Sequence, residues 1–157
     1  MAYALQPLLR IRAMREDRAG GELTAARKAV DAAREALEAR QRELDAYNST
    51  KEERRDRIYA AIIGHTVGRD KIDAANEGVA RIDEEGALKA DNVKRAESEL
   101  RSREEAAELA RAAFIAASKN RVKIEEHKSD WMRADGKAQE SRAESELEDF
   151  IARKPEI

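Results

Sequence analysis

The sequence has 157 residues, of which 41% are charged and 4% aromatic, and its net charge at pH 7 is −2. With so few aromatic residues, and with alanine supplying much of its hydrophobic fraction, the chain lacks the bulky side chains of a thick layered core. The positive and negative charges are interspersed, which argues against a nucleic-acid-binding protein. The composition favours a long helical or coiled-coil protein over a disordered chain.

The first long segment without a proline begins at Pro7, which fits the first turn of a helix. Within it, "LTAARKAVDAAREALEARQREL" places apolar residues at intervals of seven: Leu23, Val30, Leu37 and Leu44. A seven-residue repeat forms a narrow apolar seam that another helix must cover. We predict a helix over about residues 7–63.

The segment "IIGHTVGRD" interrupts this pattern. Gly64 is suited to the C-cap of the first helix, and Asp70 to the N-cap of the second. The sequence therefore predicts a connector over 64–69 and a second helix over about 70–153, with Pro155 closing it.

The side chains themselves suggest how the two helices pair. Folding the chain between Thr66 and Val67 sets large side chains against small ones: Tyr47 against Gly86, Leu37 against Ala96, Leu23 against Ala110 and Ala19 against Phe114. The pair Gly20-Gly21 then provides room for Phe114, with a flexible point in the helix as the alternative. Outward-facing Glu–Arg pairs four residues apart are also expected: Glu38–Arg42, Glu53–Arg57, Glu77–Arg81 and Glu99–Arg103. We predict an all-α fold, a single long antiparallel two-helix coiled-coil hairpin.

A parallel dimer of extended chains is the competing architecture. It would set Arg40 and Arg54, at inward positions, against their own copies, whereas the hairpin lets their charged ends reach water. We favour the hairpin. In its register Trp131 lies past the end of the first helix, and the segment beyond it, with Leu147 and Phe150, has no intramolecular partner.

The sequence contains no recognisable catalytic or metal-binding site. A two-helix hairpin has no concave pocket in which catalytic groups could converge. His65 and His127 are distant in the hairpin, neither has the neighbours of a metal motif, and the chain has no cysteine. We expect no catalytic residue, no metal and no cofactor. No stretch is long and apolar enough to span a bilayer, and the first residues do not form a signal peptide.

Three features could instead bind other proteins. The first is the apolar connector, with Ile63 and Val67, which could also simply cap the hairpin. The second is the amphipathic segment after Trp131, for which fraying into solvent is the alternative. The third is the face formed by Arg10, Arg12 and Arg15, which Glu16 and Asp17 dilute and which could simply be solvated. Solvation or protein docking is favoured over DNA binding there.

Three segments together resemble the YscO group of bacterial type III secretion proteins, which is similar to the flagellar protein FliJ. They are "LQPLLRIRAMREDRAGGEL", "IYAAIIGHTVGRDKID" and "EEHKSDWMRADGKAQESRAESELEDF". The resemblance implies a non-enzymatic central stalk of the export ATPase. In such stalks the helix termini enter the hexameric ATPase ring, the connector points to the cytoplasmic ring of the export gate, and some members bind secretion chaperones.

The resemblance also implies roles for particular residues and a location. Facing the ATPase would be Arg10, Arg12, Arg15, Trp131, Leu147 and Phe150, and facing the export gate would be Ile63, Val67 and Arg69. The expected location is the bacterial cytoplasm, peripheral to the inner-membrane secretion apparatus, with no nucleic acid bound and no direct membrane insertion. The alternatives are a generic coiled-coil scaffold and a helical regulator that binds a client helix.

Overall fold

A computed structural model describes residues 2–153 as two long helices joined by a short connector. Helix α1 spans Gln6–Ala60 and helix α2 spans Arg69–Ala152. Residues 2–153 contain no β-strand. The fold is an all-α helical hairpin, as predicted. Pro155, expected to close the second helix, lies outside the described residues.

The connector, residues 61–68, begins three residues earlier than predicted, because α1 ends in a tighter turn. The amides of Ile62 and Ile63 both donate to the carbonyl of Tyr59, at 3.0 and 2.9 Å. Gly64 follows with a φ of 80°, in the left-handed region where glycine is favoured. This conformation fits the C-terminal capping role predicted for Gly64.

Helix α2 is capped by a different residue from the one predicted. The carbonyl of Gly68 accepts hydrogen bonds from the amides of Lys71 and Ile72, at 3.1 and 3.4 Å, so Gly68 occupies the N-cap position. Asp70, the predicted N-cap, lies inside the first turn. A carboxylate there still stabilises the helix, because it faces the positive end of the helix dipole.

The chain divides into two compact units, each containing part of both helices. The connector unit comprises residues 24–108. The described part of the terminal unit comprises residues 2–23 and 109–153.

The connector unit has a narrow core of seam residues. Its buried side chains are Ala33, Tyr47, Ala75, Val79, Ile82 and Val93. Tyr47 is only 5% exposed, and a Cβ built on Gly86 would lie 3.0 Å from its ring carbon Cε1. The Tyr47 hydroxyl also donates to the carbonyl of Ile82. The predicted pairing of Tyr47 with Gly86 is therefore confirmed, and it allows the two backbones to approach closely.

Ion pairs flank this core on the surface. Those that join the helices of the connector unit include Lys51–Asp83 at 3.2 Å, Arg54–Glu85 at 3.3 Å, Arg55–Asp83 at 3.8 Å and Arg34–Glu104 at 3.9 Å. The four predicted Glu–Arg pairs along the helices are all present. Exposed pairs contribute about 0–1 kcal/mol each, so the apolar seam dominates the stability.

The terminal unit packs around fewer buried side chains. Tyr3 and Leu23 are each 7% exposed. A Cβ on Gly20 would meet the Phe114 ring at 3.4 Å, whereas a Cβ on Gly21 would meet nothing within 4 Å. Phe114 thus packs at Gly20, next to the predicted Ala19, and the interpretation of this glycine as room for Phe114 holds.

Alanine substitutions should separate the two kinds of helical glycine. Gly21→Ala should raise the free energy of unfolding by about 0.5–1 kcal/mol, because it restores helix propensity in open space. Gly86→Ala should lower it by about 1 kcal/mol, because the added methyl group collides with the buried Tyr47 ring. Urea unfolding followed by circular dichroism measures both. Equal stabilisation by the two substitutions would contradict the packing described.

The hydrogen bond of Tyr47 can be tested separately from its ring. Tyr47→Phe should lower the free energy of unfolding by about 0.5–1.5 kcal/mol, because the ring stays and only the hydroxyl is lost. Tyr59→Phe, at a half-buried tyrosine near the connector, is the matched control. Indistinguishable urea midpoints for the two variants would argue against a contribution from the Tyr47 hydroxyl.

Candidate functional site

An aromatic cluster closes the open end of the hairpin. The ring of Tyr3 lies 5.8 Å from the ring of His127 and 5.5 Å from the ring of Trp131, centroid to centroid. The Tyr3 hydroxyl and His127 Nδ1 are 2.7 Å apart, a hydrogen-bonding distance. Trp131 lies past the end of α1, as expected, but it is not outside the paired region, because the chain before α1 reaches it.

Local backbone bonds hold Tyr3 in this position. The amide of Gln6 donates to the carbonyl of Tyr3 at 3.1 Å, and that of Leu9 donates to the carbonyl of Leu5 at 3.0 Å. The turn ahead of α1 thus directs Tyr3 toward α2. Sequence reasoning missed this contact, because Tyr3 lies ahead of the first helix and neither Tyr3 nor His127 belongs to a seven-residue repeat.

The predicted arginines divide between a solvent-facing surface and the helix interface. Arg10 and Arg15 are exposed. Arg12 is half-buried, and its Nε is buried with no hydrogen-bond partner among the described residues. At 100° per residue, Arg10 and Arg15 flank Ile11 and Met14, which are 46% and 70% exposed. The outward surface of α1 therefore combines apolar and cationic groups.

Glu16, expected to dilute the arginine face, turns inward instead. Its side chain is only 17% exposed and accepts a hydrogen bond from Arg121 of α2, which also binds Glu125. The hydrogen bond to Glu16 raises the pKa of the Arg121 guanidinium above its ordinary value, and partial burial opposes that rise. Because Glu16 is paired across the helices, the positive charge on the outward face of α1 is less diluted than the sequence suggested.

The C-terminal part of α2 presents a second apolar surface. Every described residue from Lys137 onward is exposed. Leu147 is 63% exposed, Phe150 72% and Ile151 63%, and their spacing puts all three on one face of the helix. The structure thus leaves the predicted residues Leu147 and Phe150 accessible to a partner.

The connector places its three predicted residues differently. Ile63 is 71% exposed, and Val67 is half-buried. The side chain of Arg69 is 92% exposed and forms an ion pair with Asp73 at 3.8 Å. Of the three predicted residues, Ile63 and Arg69 are therefore accessible, and His65 and Thr66 between them are exposed as well.

Exposed large apolar side chains are concentrated in the terminal unit. In the connector unit they are Ile63, Ile72 and Leu88. In the terminal unit they are Leu5, Ile11, Met14, Leu109, Ile115, Val122, Met132, Leu147, Phe150 and Ile151. Such concentration is typical of a surface that contacts other proteins.

Neither a metal-binding group nor a membrane-spanning helix is found among the described residues. Within 2–153, no group of three or more histidine, aspartate and glutamate side chains could hold a metal ion. No helix in that range has a stretch apolar enough to cross a membrane.

Comparison with known proteins identifies the family. Residues 5–153 match the family model of type III secretion protein YscO. The chain also resembles the structure of CT670 from Chlamydia trachomatis, described as a YscO homologue, with a TM-score of 0.74 and 20% identity. That match covers 97% of this chain and 93% of CT670, and at this identity it bears on the fold alone. No curated protein matches the sequence. The chain belongs to the YscO family of type III secretion proteins.

Proposed function

We propose that this protein is a non-enzymatic central stalk of a bacterial type III secretion export ATPase. It links the ATPase hexamer to the cytoplasmic ring of the export gate, with secretion chaperones as a further class of partner. It works in the bacterial cytoplasm, next to the inner-membrane apparatus. Family membership supports a role in type III secretion, and the distribution of exposed residues supports the finer assignment.

The observation that carries this proposal is the exposed apolar and cationic surface of the terminal unit. Apolar residues face outward on both helices there, for example Met14 on α1 and Leu109 on α2, which is 74% exposed. A ring around this unit would contact several of its sides at once. A partner that docks on one face only would leave the other apolar groups in water, at an energetic penalty of roughly 25 cal/mol per Å².

In this proposal the connector makes the second contact. Ile63 supplies an accessible apolar group, and Arg69 supplies a cation a few residues away. A small apolar anchor beside a charge suits a weak, specific contact with the export gate. The stalk itself performs no chemistry in this proposal, and it transmits position between two rings.

The first test is binding to the export ATPase of the same secretion system. The purified protein should bind the ATPase and stimulate its ATP hydrolysis. Leu147→Ala combined with Phe150→Ala should weaken binding by about 30-fold or more, because two exposed anchors are lost and the fold is untouched. Titration calorimetry measures the affinity, and circular dichroism checks that helicity is unchanged.

Leu88→Ala is the matched control for that experiment. Leu88 is 59% exposed and lies in the connector unit, so its loss should leave ATPase affinity within about twofold. Trp131→Ala is a less informative variant, because it also removes the packing partner of Tyr3. If the unsubstituted protein neither binds nor stimulates the ATPase, the generic scaffold or the client-binding regulator becomes the better assignment.

The proposed contact between the connector and the export gate predicts a separate phenotype. Ile63→Asp should reduce binding to the cytoplasmic domain of the export gate by about tenfold or more, because it places a charge where an apolar contact is needed. ATPase stimulation by the same variant should be unchanged. A variant that loses ATPase stimulation and keeps gate binding would reverse the assigned orientation of the stalk.

A further inference from the structure

Two surfaces of the terminal unit have opposite charge around an apolar centre. The first, called here the acidic stripe, consists of Leu147, Phe150 and Ile151 with the glutamates beside them: Glu144, Glu146 and Glu148. The second, called the basic stripe, consists of Ile11 and Met14 with the arginines beside them: Arg10, Arg15 and Arg18. The acidic stripe carries carboxylates only. The basic stripe is less one-sided, because Asp17 lies beside Arg10 and Glu22 pairs with Arg18, but its three arginines still outnumber these two carboxylates.

The acidic stripe follows from the helical spacing of α2. At 100° per residue, Glu144 and Glu148 lie on one flank of Leu147, and Glu146 lies on the other. Arg142 and Arg153 fall on the opposite side of the helix. The three apolar residues therefore share their face with carboxylates only, and all of these side chains are exposed.

The basic stripe has the complementary arrangement on α1. Ile11 and Met14 lie at its centre, Arg10 and Arg15 lie on its two sides, and Arg18 lies one turn further on. The side chain of Arg18 is 83% exposed and pairs with Glu22 at 3.2 Å. Glu16 contributes no charge to this surface, because it faces the opposite helix and binds Arg121.

The two stripes cannot meet within one chain. Tyr3, ahead of α1, packs against Trp131, and α2 continues without interruption from there to Ala152. Leu147 therefore lies about 24 Å further along α2 than Trp131, at 1.5 Å per residue. A straight helix cannot carry Leu147 back to Met14.

We propose that the acidic stripe of one copy packs against the basic stripe of a second copy, and that the reverse contact forms at the same time. Such reciprocal pairing gives a two-fold homodimer, in which each contact occurs twice. Apolar burial between the stripe centres provides the affinity, and the flanking charges set the orientation. A second copy fits because the surface that complements each stripe in charge and apolar content is present on the same chain. The inference does not depend on the proposed function.

Cysteine cross-linking tests the contact directly, because the chain contains no cysteine. Met14→Cys and Leu147→Cys chains, mixed and mildly oxidised, should form a disulfide-linked species of twice the 17.6 kDa chain mass. Leu109→Cys is the matched control, since Leu109 is equally accessible in the same unit but outside both stripes. Cross-linking of Met14→Cys to Leu147→Cys no faster than to Leu109→Cys would overturn the proposal.

Sedimentation equilibrium of the purified full chain tests the energetics. The unsubstituted protein should be a dimer that dissociates as salt is raised, because exposed charges are screened. Glu144→Arg with Glu148→Arg should weaken the dimer by about tenfold or more, and adding Arg10→Glu with Arg15→Glu to the same chain should restore it. A monomer at every concentration, or a dimer whose dissociation constant is unchanged by the charge reversal, would overturn the proposal.

These outcomes are separate from those of the stalk assignment. Sedimentation uses the isolated protein, so a failure to bind the export ATPase would leave the dimer result intact. If the dimer forms and the ATPase also binds, the ATPase should dissociate the dimer, because both use Leu147 and Phe150. Binding of the ATPase without any self-association would reject only the homodimer.

Discussion

The structure depends on close contact between two helices along a seam that is narrow and poor in large side chains. Tyr47 fits against Gly86, and Phe114 fits against Gly20. Because one partner in each pair lacks a side chain, the ring can fill the space without forcing the helices apart. The least exposed core residue, Ile82, is still 4% exposed. A seam this thin leaves little apolar area in reserve, so steric fit matters more than the total area buried.

This constraint acts differently in the two units. The connector unit buries Tyr47, Val79, Ile82 and Val93 and exposes few large apolar side chains. The terminal unit has the opposite balance. Among its described residues only Tyr3 and Leu23 are buried, and many apolar side chains face outward. A unit that leaves apolar surface in water is stabilised further by any partner that covers it. The uneven distribution is the reason that we propose the terminal unit as the main partner-binding part of the chain.

The glycines in the helices have different physical roles. Gly20, Gly78 and Gly86 each accommodate a side chain of the opposite helix: Phe114, Ile58 and Tyr47. Gly21 and Gly136 have open space around them, and both helices nevertheless remain continuous there. Continuity through these positions is compatible with a stalk, although each unpacked glycine reduces the local stability of the helix by about 1 kcal/mol.

The sequence by itself determined the two helices, the turn near Gly64 and the pairing of Tyr47 with Gly86, whereas the limits of the connector and the partner of Phe114 differ from the prediction by one to three residues. These properties follow from features that are visible in the residues: the seven-residue spacing of apolar side chains, the conformational freedom of Gly64, and the match in size between Tyr47 and Gly86. The family could also be identified from short segments spread along the chain. The sequence also pointed to Leu147 and Phe150 as accessible residues, because the register left them without an intramolecular partner.

Only the tertiary structure decided that Tyr3 packs against Trp131 and that Glu16 pairs with Arg121. Tyr3 and His127 are 124 positions apart, and no periodic pattern links them. Glu16 looked like one of many surface carboxylates until the helix pairing placed Arg121 beside it. Single contacts of this kind depend on the three-dimensional direction of individual side chains, whereas a periodic seam is repeated often enough to be read from the residues alone.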